Sequence, residues 1–330
     1  MLILAKSMLG LMIGFLVSIV FGAMIIPILR KLKFKQTISS FTAFRHASKN
    51  GVPTVGGLIF IIPTLLVMFL LHLRGSIHIS HSILIITFVF ISYALLGLAD
   101  DLLKIRYKNN DGLSVNQKLL AQVLIALIFF YIYMKNGGDA YVTISSLNLS
   151  VNLKWGYGLF ILFLLVGSSN AVNLTDGLDG LSGTLSFIAF IAFGIITWGT
   201  TWIEGYQEIA IFCFVLSGCL LGYLVFNVHP AKVIMGDTGS LALGATLSAI
   251  AILTKHELSL AVIGGVFVVE ALSAIIQIIS ITKFKKKVFL MAPLHHHFEK
   301  LGWEETDIVK LFVVVGFFLA TIAVYYGVWM

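Results

Sequence analysis

The residues of this chain that could do chemistry gather in four short runs. Asp100 and Asp101 close an apolar stretch and are followed by Lys104. Asn173, Asp176 and Asp179 fall in Asn170-Ala-Val-Asn-Leu-Thr-Asp-Gly-Leu-Asp-Gly-Leu181, a polar segment without a single Lys or Arg. Asp237 stands between glycines in Met235-Gly-Asp-Thr-Gly-Ser240, and His295, His296 and His297 lie in Ala292-Pro-Leu-His-His-His-Phe-Glu299. Carboxylates grouped with asparagine, lysine and histidine have the composition of a Mg²⁺ and pyrophosphate site. Magnesium takes one or two carboxylates plus phosphate oxygens and water, and it neutralises a diphosphate while stabilising a leaving phosphate.

Each run also has a plainer reading. On a helix Lys104 lies at i+4 from Asp100 and i+3 from Asp101, so the three could form only a solvated helix end. A helical turn through the second run would put Asp176 and Asp179 at i, i+3 on the face of Asn173, with Gly177 and Gly180 permitting close approach of a ligand; ordinary turn chemistry is the alternative. Asp237 could itself cap a helix, or Thr238 and Ser240 could do so, and a helix start here would offer free N–H groups to phosphate. Three consecutive histidines cannot all face one way, and a metal site would more usually space two at i, i+4. They read as donors to phosphate oxygens or as a chance tract. The basic run Lys283 to Lys287 reads equally as a topology anchor and as substrate attraction.

The elements that must carry these residues follow from composition. The chain has 330 residues, 59% hydrophobic and only 11% charged, with a mean hydropathy of +1.02; a soluble domain carries roughly 25% charge. Apolar runs of spanning length fall at about 7–29, 55–73, 83–99, 119–134, 155–170, 184–200, 209–228, 239–254, 258–282 and 309–328. The expected architecture is an all-α polytopic integral membrane protein of about ten transmembrane helices, one multi-pass membrane domain over residues 1–330. It leaves no room for an independent soluble domain, so chemistry must sit at helix ends. The first run is too long for a signal-peptide core and is kept as a span. Alternating residues at 141–144 and 147–153 predict a small outer β-hairpin. Cys213 and Cys219, six apart in one apolar run, read as packing residues.

Lys and Arg set the orientation. Of the 22, only Lys6, Arg74, Lys135, Lys154 and Lys255 lie on one side. The positive-inside rule therefore puts the other side in the cytoplasm and both termini outside. Ten of the fifteen carboxylates share that basic face, and Glu270 lies alone within the ninth span. A net charge of +7 concentrated on one face suits anionic lipid or an anionic substrate rather than nucleic acid.

The four runs, together with Pro53-Thr-Val-Gly-Gly57 and Glu270-Ala-Leu-Ser-Ala-Ile-Ile-Gln277, resemble the phospho-N-acetylmuramoyl-pentapeptide transferase family of the polyprenyl-phosphate N-acetylhexosamine-1-phosphate transferase superfamily. The motifs recur in order from about residue 45 to residue 300. The resemblance implies transfer of phospho-MurNAc-pentapeptide from UDP-MurNAc-pentapeptide to undecaprenyl phosphate, giving lipid I and UMP for peptidoglycan synthesis. It implies location in the bacterial cytoplasmic membrane, Mg²⁺ as cofactor and a homodimer. It further implies that Asp237 binds the metal and that Asp100 and Asp101 contact lipid phosphate or metal, one of them as base. Lys49, Thr54, Lys104, Asn173, Asp176, Asp179 and Gln277 would line the nucleotide and diphosphate site, with His295, His296 and His297 near phosphate or sugar. His295 is counted with the catalytic aspartates. Ile234 departs from the family, many members of which have a phenylalanine there that could stack on uracil.

Three other functions fit parts of the pattern. A related enzyme using a UDP-GlcNAc donor would keep most of the motifs, although the His295-His-His297-Phe-Glu299 arrangement resembles the muramoyl branch. A cation-coupled secondary transporter would need its acids near the midplane, where only Glu270 lies. Prenyltransferases have paired Asp-rich motifs that Asp100-Asp-Leu-Leu-Lys104 does not match.

Overall fold

The computed structural model describes residues 2–32, 34, 51–107, 112–144, 149–199 and 206–329. Lys49, expected at the nucleotide site, lies outside the described residues, as do Lys33, Lys35, Arg45 and Lys108. The described part is nearly all helical: α1 (Leu2–Lys31), α2 (Leu58–Leu73), α3 (His81–Tyr107), α4 (Val115–Lys135), α5 (Gly156–Thr175), α6 (Leu181–Gly199), α7 (Tyr206–Asn227), α8 (Gly236–Leu253), α9 (Glu257–Ile263), α10 (Gly265–Ile279), α11 (Leu294–Lys300) and α12 (Glu305–Trp329). Nine of the described helices are long and apolar enough to cross a membrane, and α2 is a shorter apolar helix of 16 residues. The expected hairpin is present: β1 (Tyr141–Ile144) pairs antiparallel with β2 (Leu149–Asn152), Tyr141 opposite Asn152.

Two of the expected spans change in ways that bear on the site. The third runs eight residues past its apolar stretch, so that Asp100, Asp101 and Lys104 are helical residues of α3 rather than its flank. The ninth is not continuous. Gly264 ends α9 and begins α10, and a wide helical turn, Ser280–Phe284, follows α10.

Helices α7 and α8 form the centre. α7 packs against α1, α2 and α6, and α8 against α3 and α5. Small residues explain how α8 comes so close to its neighbours. A Cβ on Gly244 would collide with the Ser168 carbonyl of α5, and one on Gly97 of α3 would collide with the Asp237 carbonyl. Close backbone approach through small residues is the way helices gain van der Waals contact where lipid removes the hydrophobic drive. Both cysteines are buried and free, packed in this centre.

Candidate active site

The C-terminal ends of α3 and α5 and the N-terminal ends of α4 and α8 meet at one end of the bundle, bringing together Asp100, Asp101, Lys104, Lys118, Asn173 and Asp237. Beneath them, segment 53–57 pairs with 234–235 through backbone hydrogen bonds from Ile234 N to the Pro53 carbonyl (2.8 Å), from Gly56 N to the Ile234 carbonyl (2.8 Å) and from Gly57 N to the Met235 carbonyl (2.9 Å). Gly236, at φ +73°, then turns the chain into α8 against Thr54 Oγ1 and the Asp101 carboxylate. A left-handed residue with both groups against its Cβ position has to be glycine.

Asp101 is 3% exposed and fully engaged. Its Oδ1 accepts from Asp237 N (3.1 Å), and its Oδ2 accepts from Thr238 N (3.0 Å) and Thr238 Oγ1 (2.6 Å). The cap of α8 therefore comes from α3. The expectation that Asp237, Thr238 or Ser240 would cap this helix is corrected: α8 begins at Gly236, which puts all three inside its first turns, and Ser240 Oγ instead donates to the Gly236 carbonyl. A carboxylate at a helix N-terminus satisfies orphan N–H groups and complements the helix dipole.

The Asp237 side chain instead meets groups of α3, α4 and α5. Its Oδ2 meets Lys118 Nζ at 2.5 Å and Lys104 Nζ at 3.1 Å. Its Oδ1 accepts from Asn173 Nδ2 at 2.8 Å, and the same amide reaches Ser240 Oγ at 2.8 Å. Lys104 also pairs with Asp100 Oδ2 at 2.6 Å, while Asp100 Oδ1 accepts from Leu113 N at 2.7 Å across the positive-φ Gly112. Asp100 and Asp237, two hard-oxygen donors from different helices, thus converge on one cation. That donor set fits Mg²⁺. The two ammonium groups are already matched by these two carboxylates, so a diphosphate entering here would require further positive charge.

Lys118 is not among the residues expected at the site; in the sequence it is one of the seventeen basic residues that mark the basic face. A signal was present. It stands in the first turn of α4, after the capping box of Ser114 and Gln117, and a cation at a helix N-terminus is unfavourable unless an anion faces it.

The second run divides. α5 ends at Thr175, Asp176 takes φ −78° and ψ 43°, and Gly180 turns the chain at φ +79°. The helical face expected to unite Asn173, Asp176 and Asp179 is therefore absent; Asn173 is the member of the run that donates to Asp237. Asp179 belongs to a neighbouring knot in which its Oδ2 lies 3.0 Å from Ala231 N and 3.2 Å from His229 Nδ1, and its own N–H donates to Glu305 Oε1 at 2.6 Å.

The histidines diverge on α11. His295 is fully buried, its N and Nδ1 both 3.0 Å from the Glu270 carboxylate of α10. His296 Nδ1 meets Glu299 Oε2 at 2.5 Å, and His297 Nδ1 accepts from Leu290 N at 3.1 Å. Gln277 accepts from Val288 N and Phe289 N, both at 3.0 Å, and donates to the Phe289 carbonyl at 2.9 Å. Gln277 and Glu270 thus hold the segment that carries the histidines.

The family model for glycosyl transferase family 4 matches residues 82–255, which include Asp100, Asn173 and Asp237. The chain is 46% identical over 322 residues to the phospho-N-acetylmuramoyl-pentapeptide-transferase of Geobacillus sp. (strain WCH70), covering 98% of each chain. It is 44% identical over 320 residues to the enzyme of that name from Bacillus subtilis (strain 168), covering 97% of each. With this similarity along nearly the whole length and acidic groups gathered at one end of the helices, the chain belongs to the phospho-N-acetylmuramoyl-pentapeptide transferases of glycosyl transferase family 4.

Proposed function

We propose that the chain transfers phospho-MurNAc-pentapeptide from UDP-MurNAc-pentapeptide to undecaprenyl phosphate, forming lipid I and UMP. The observation that carries this reading is the convergence of Asp100, Lys104, Lys118, Asn173 and Asp237 at one end of a membrane-spanning bundle. A soluble donor and a lipid acceptor can both reach such a place.

Asp237 and Asp100 would hold Mg²⁺, which when bound would supply charge neutralisation for the diphosphate. Lys104 and Lys118 face the phosphate oxygens, and Asn173 fixes the rotamer of Asp237. An oxygen of the lipid phosphate attacks the β-phosphorus. A new P–O bond forms, the bond from that phosphorus to the bridging oxygen breaks, and UMP leaves with the electron pair. A phosphate monoester is largely ionised near neutral pH, so Asp100 as base removes at most the last proton. Thr54, Asp176 and Asp179 would line the nucleotide side and His296 and His297 would lie towards the sugar, while Lys49 is assigned to the nucleotide by the family resemblance alone. The site faces the cytoplasm, both termini lie outside, and the active form is a homodimer. The acid that a transporter would need, Glu270, is instead committed to two N–H donors.

A covalent aspartyl-phosphate route is the rival. Donor labelled in its phospho-sugar, incubated with the protein and Mg²⁺ without lipid, is expected to leave no label on the chain. Stoichiometric label on Asp100 would overturn direct attack.

A further inference from the structure

Among the described residues Glu270 is the one carboxylate deep in a span, and the reaction as described gives it no task. It is fully buried, as is its partner His295. The pair is bidentate, since one carboxylate oxygen accepts the backbone N–H of His295 and the other faces Nδ1. Charge-assisted hydrogen bonds of this kind are short and strong, and two at once fix both the position and the ring plane of the imidazole. With Nδ1 facing the Glu270 carboxylate, Nε2 is the nitrogen on the far side of the ring. Nε2 has no hydrogen-bond partner and is enclosed. It is pressed against Gly177, where an added Cβ would overlap it.

Gly177 lies between Asp176 and Asp179, in the turn read above as lining the nucleotide. The imidazole therefore stands behind that turn, and Glu270 stands behind the imidazole. We infer that Glu270 is a positioning residue: with His295 it forms a buried strut that sets the place of the 176–179 turn and thereby the affinity for the nucleotide half of the donor, without touching substrate. The inference moves His295 from phosphate contact to support. It rests on the reading of this turn as the nucleotide site.

The test uses the full-length protein in detergent, with steady-state kinetics in both substrates and UMP binding by calorimetry. Glu270→Gln keeps an acceptor for the backbone N–H but sets an amide NH₂ against Nδ1. It is expected to raise KM for UDP-MurNAc-pentapeptide and the Kd for UMP about tenfold, leaving KM for undecaprenyl phosphate and kcat within about threefold. Gly177→Ala presses on the same nitrogen from the other side and is expected to give the same split. The double variant should be less than multiplicative, because both changes displace one strut. Glu270→Asp should recover part of the lost affinity. A fall in kcat with unchanged KM, equal effects on both substrates, or fully multiplicative effects of the two variants would overturn the inference. If Glu270→Gln does not fold, Gly177→Ala and His295→Gln carry the same KM test, and a normal UMP affinity in both refutes it. Failure of the family reading would look different, since wild type itself would not consume the donor.

Discussion

Asp100 and Asp101 are neighbours in sequence and should behave in opposite ways when neutralised. Asp101→Asn exchanges a carboxylate accepting three hydrogen bonds from the first turn of α8 for an amide whose NH₂ must face some of those donors. Loss of a helix cap costs about 0.5–2 kcal/mol. A hydrogen bond to a charged group contributes about 1.5–3 kcal/mol, but Asn retains part of this set and the bonds are not independent. A destabilisation of about 2–4 kcal/mol follows, seen as a fall of about 5 °C or more in apparent Tm. Asp100→Asn, by contrast, loses one ion pair to Lys104 while its Oδ1 can still accept from Leu113 N. Its Tm should stay within about 2 °C of wild type, with activity reduced at least 100-fold. The assay is thermal unfolding in detergent beside UMP release at a temperature where both variants remain folded. Residual activity per folded molecule should be higher in Asp101→Asn than in Asp100→Asn. The reasoning is refuted if Asp101→Asn melts with wild type and is the more inactive of the two.

Lys118→Met is expected to lower kcat/KM for the donor at least tenfold with unchanged Tm, because Asp237 Oδ2 loses its nearer ammonium; unchanged kinetics would remove Lys118 from the site. Gly97→Val should abolish folding or activity, since even a Cβ collides with the Asp237 carbonyl, and a folded, active variant would contradict the α3–α8 packing. At the opposite end, burial raises the pKa of Glu257, whose Oε1 accepts from Tyr157 Oη. A buried acid with a raised pKa opposes folding as pH rises past its unfolded value. Glu257→Gln should therefore gain in Tm relative to wild type between pH 5 and 8 without affecting KM, whereas a difference that shrinks with pH would reverse the sign assigned to this group.

Much of the site could be read from the sequence, and its omissions have physical causes. The four runs were visible because a charge next to an apolar span is costly and so stands out. Their division of labour was not, since it depends on which helix ends meet. That Asp101 caps α8 follows only once α3 and α8 are adjacent, 136 residues apart in the chain. Lys118 was hidden because a lysine at the end of a span is what topology alone would place there. The shared face expected for Asn173, Asp176 and Asp179 failed because α5 ends at Thr175 and Asp176, at ψ 43°, leaves helical geometry before Asp179 is reached. The fold was more legible: each of the ten apolar runs overlaps a described helix, and the exception to continuity, at Gly264, is a glycine inside a long apolar run.

The central claim is that Asp237 at the start of α8, with Asp100, serves metal-assisted transfer to a lipid phosphate. The most direct measurement is release of UMP and formation of lipid I from UDP-MurNAc-pentapeptide and undecaprenyl phosphate by purified protein, with Mg²⁺ and with EDTA, for wild type and Asp237→Asn. The account predicts equal amounts of the two products from wild type, loss in EDTA restored by Mg²⁺, and at least a 100-fold reduction in a folded Asp237→Asn. Full activity of Asp237→Asn, or undiminished wild-type activity in EDTA, would contradict it.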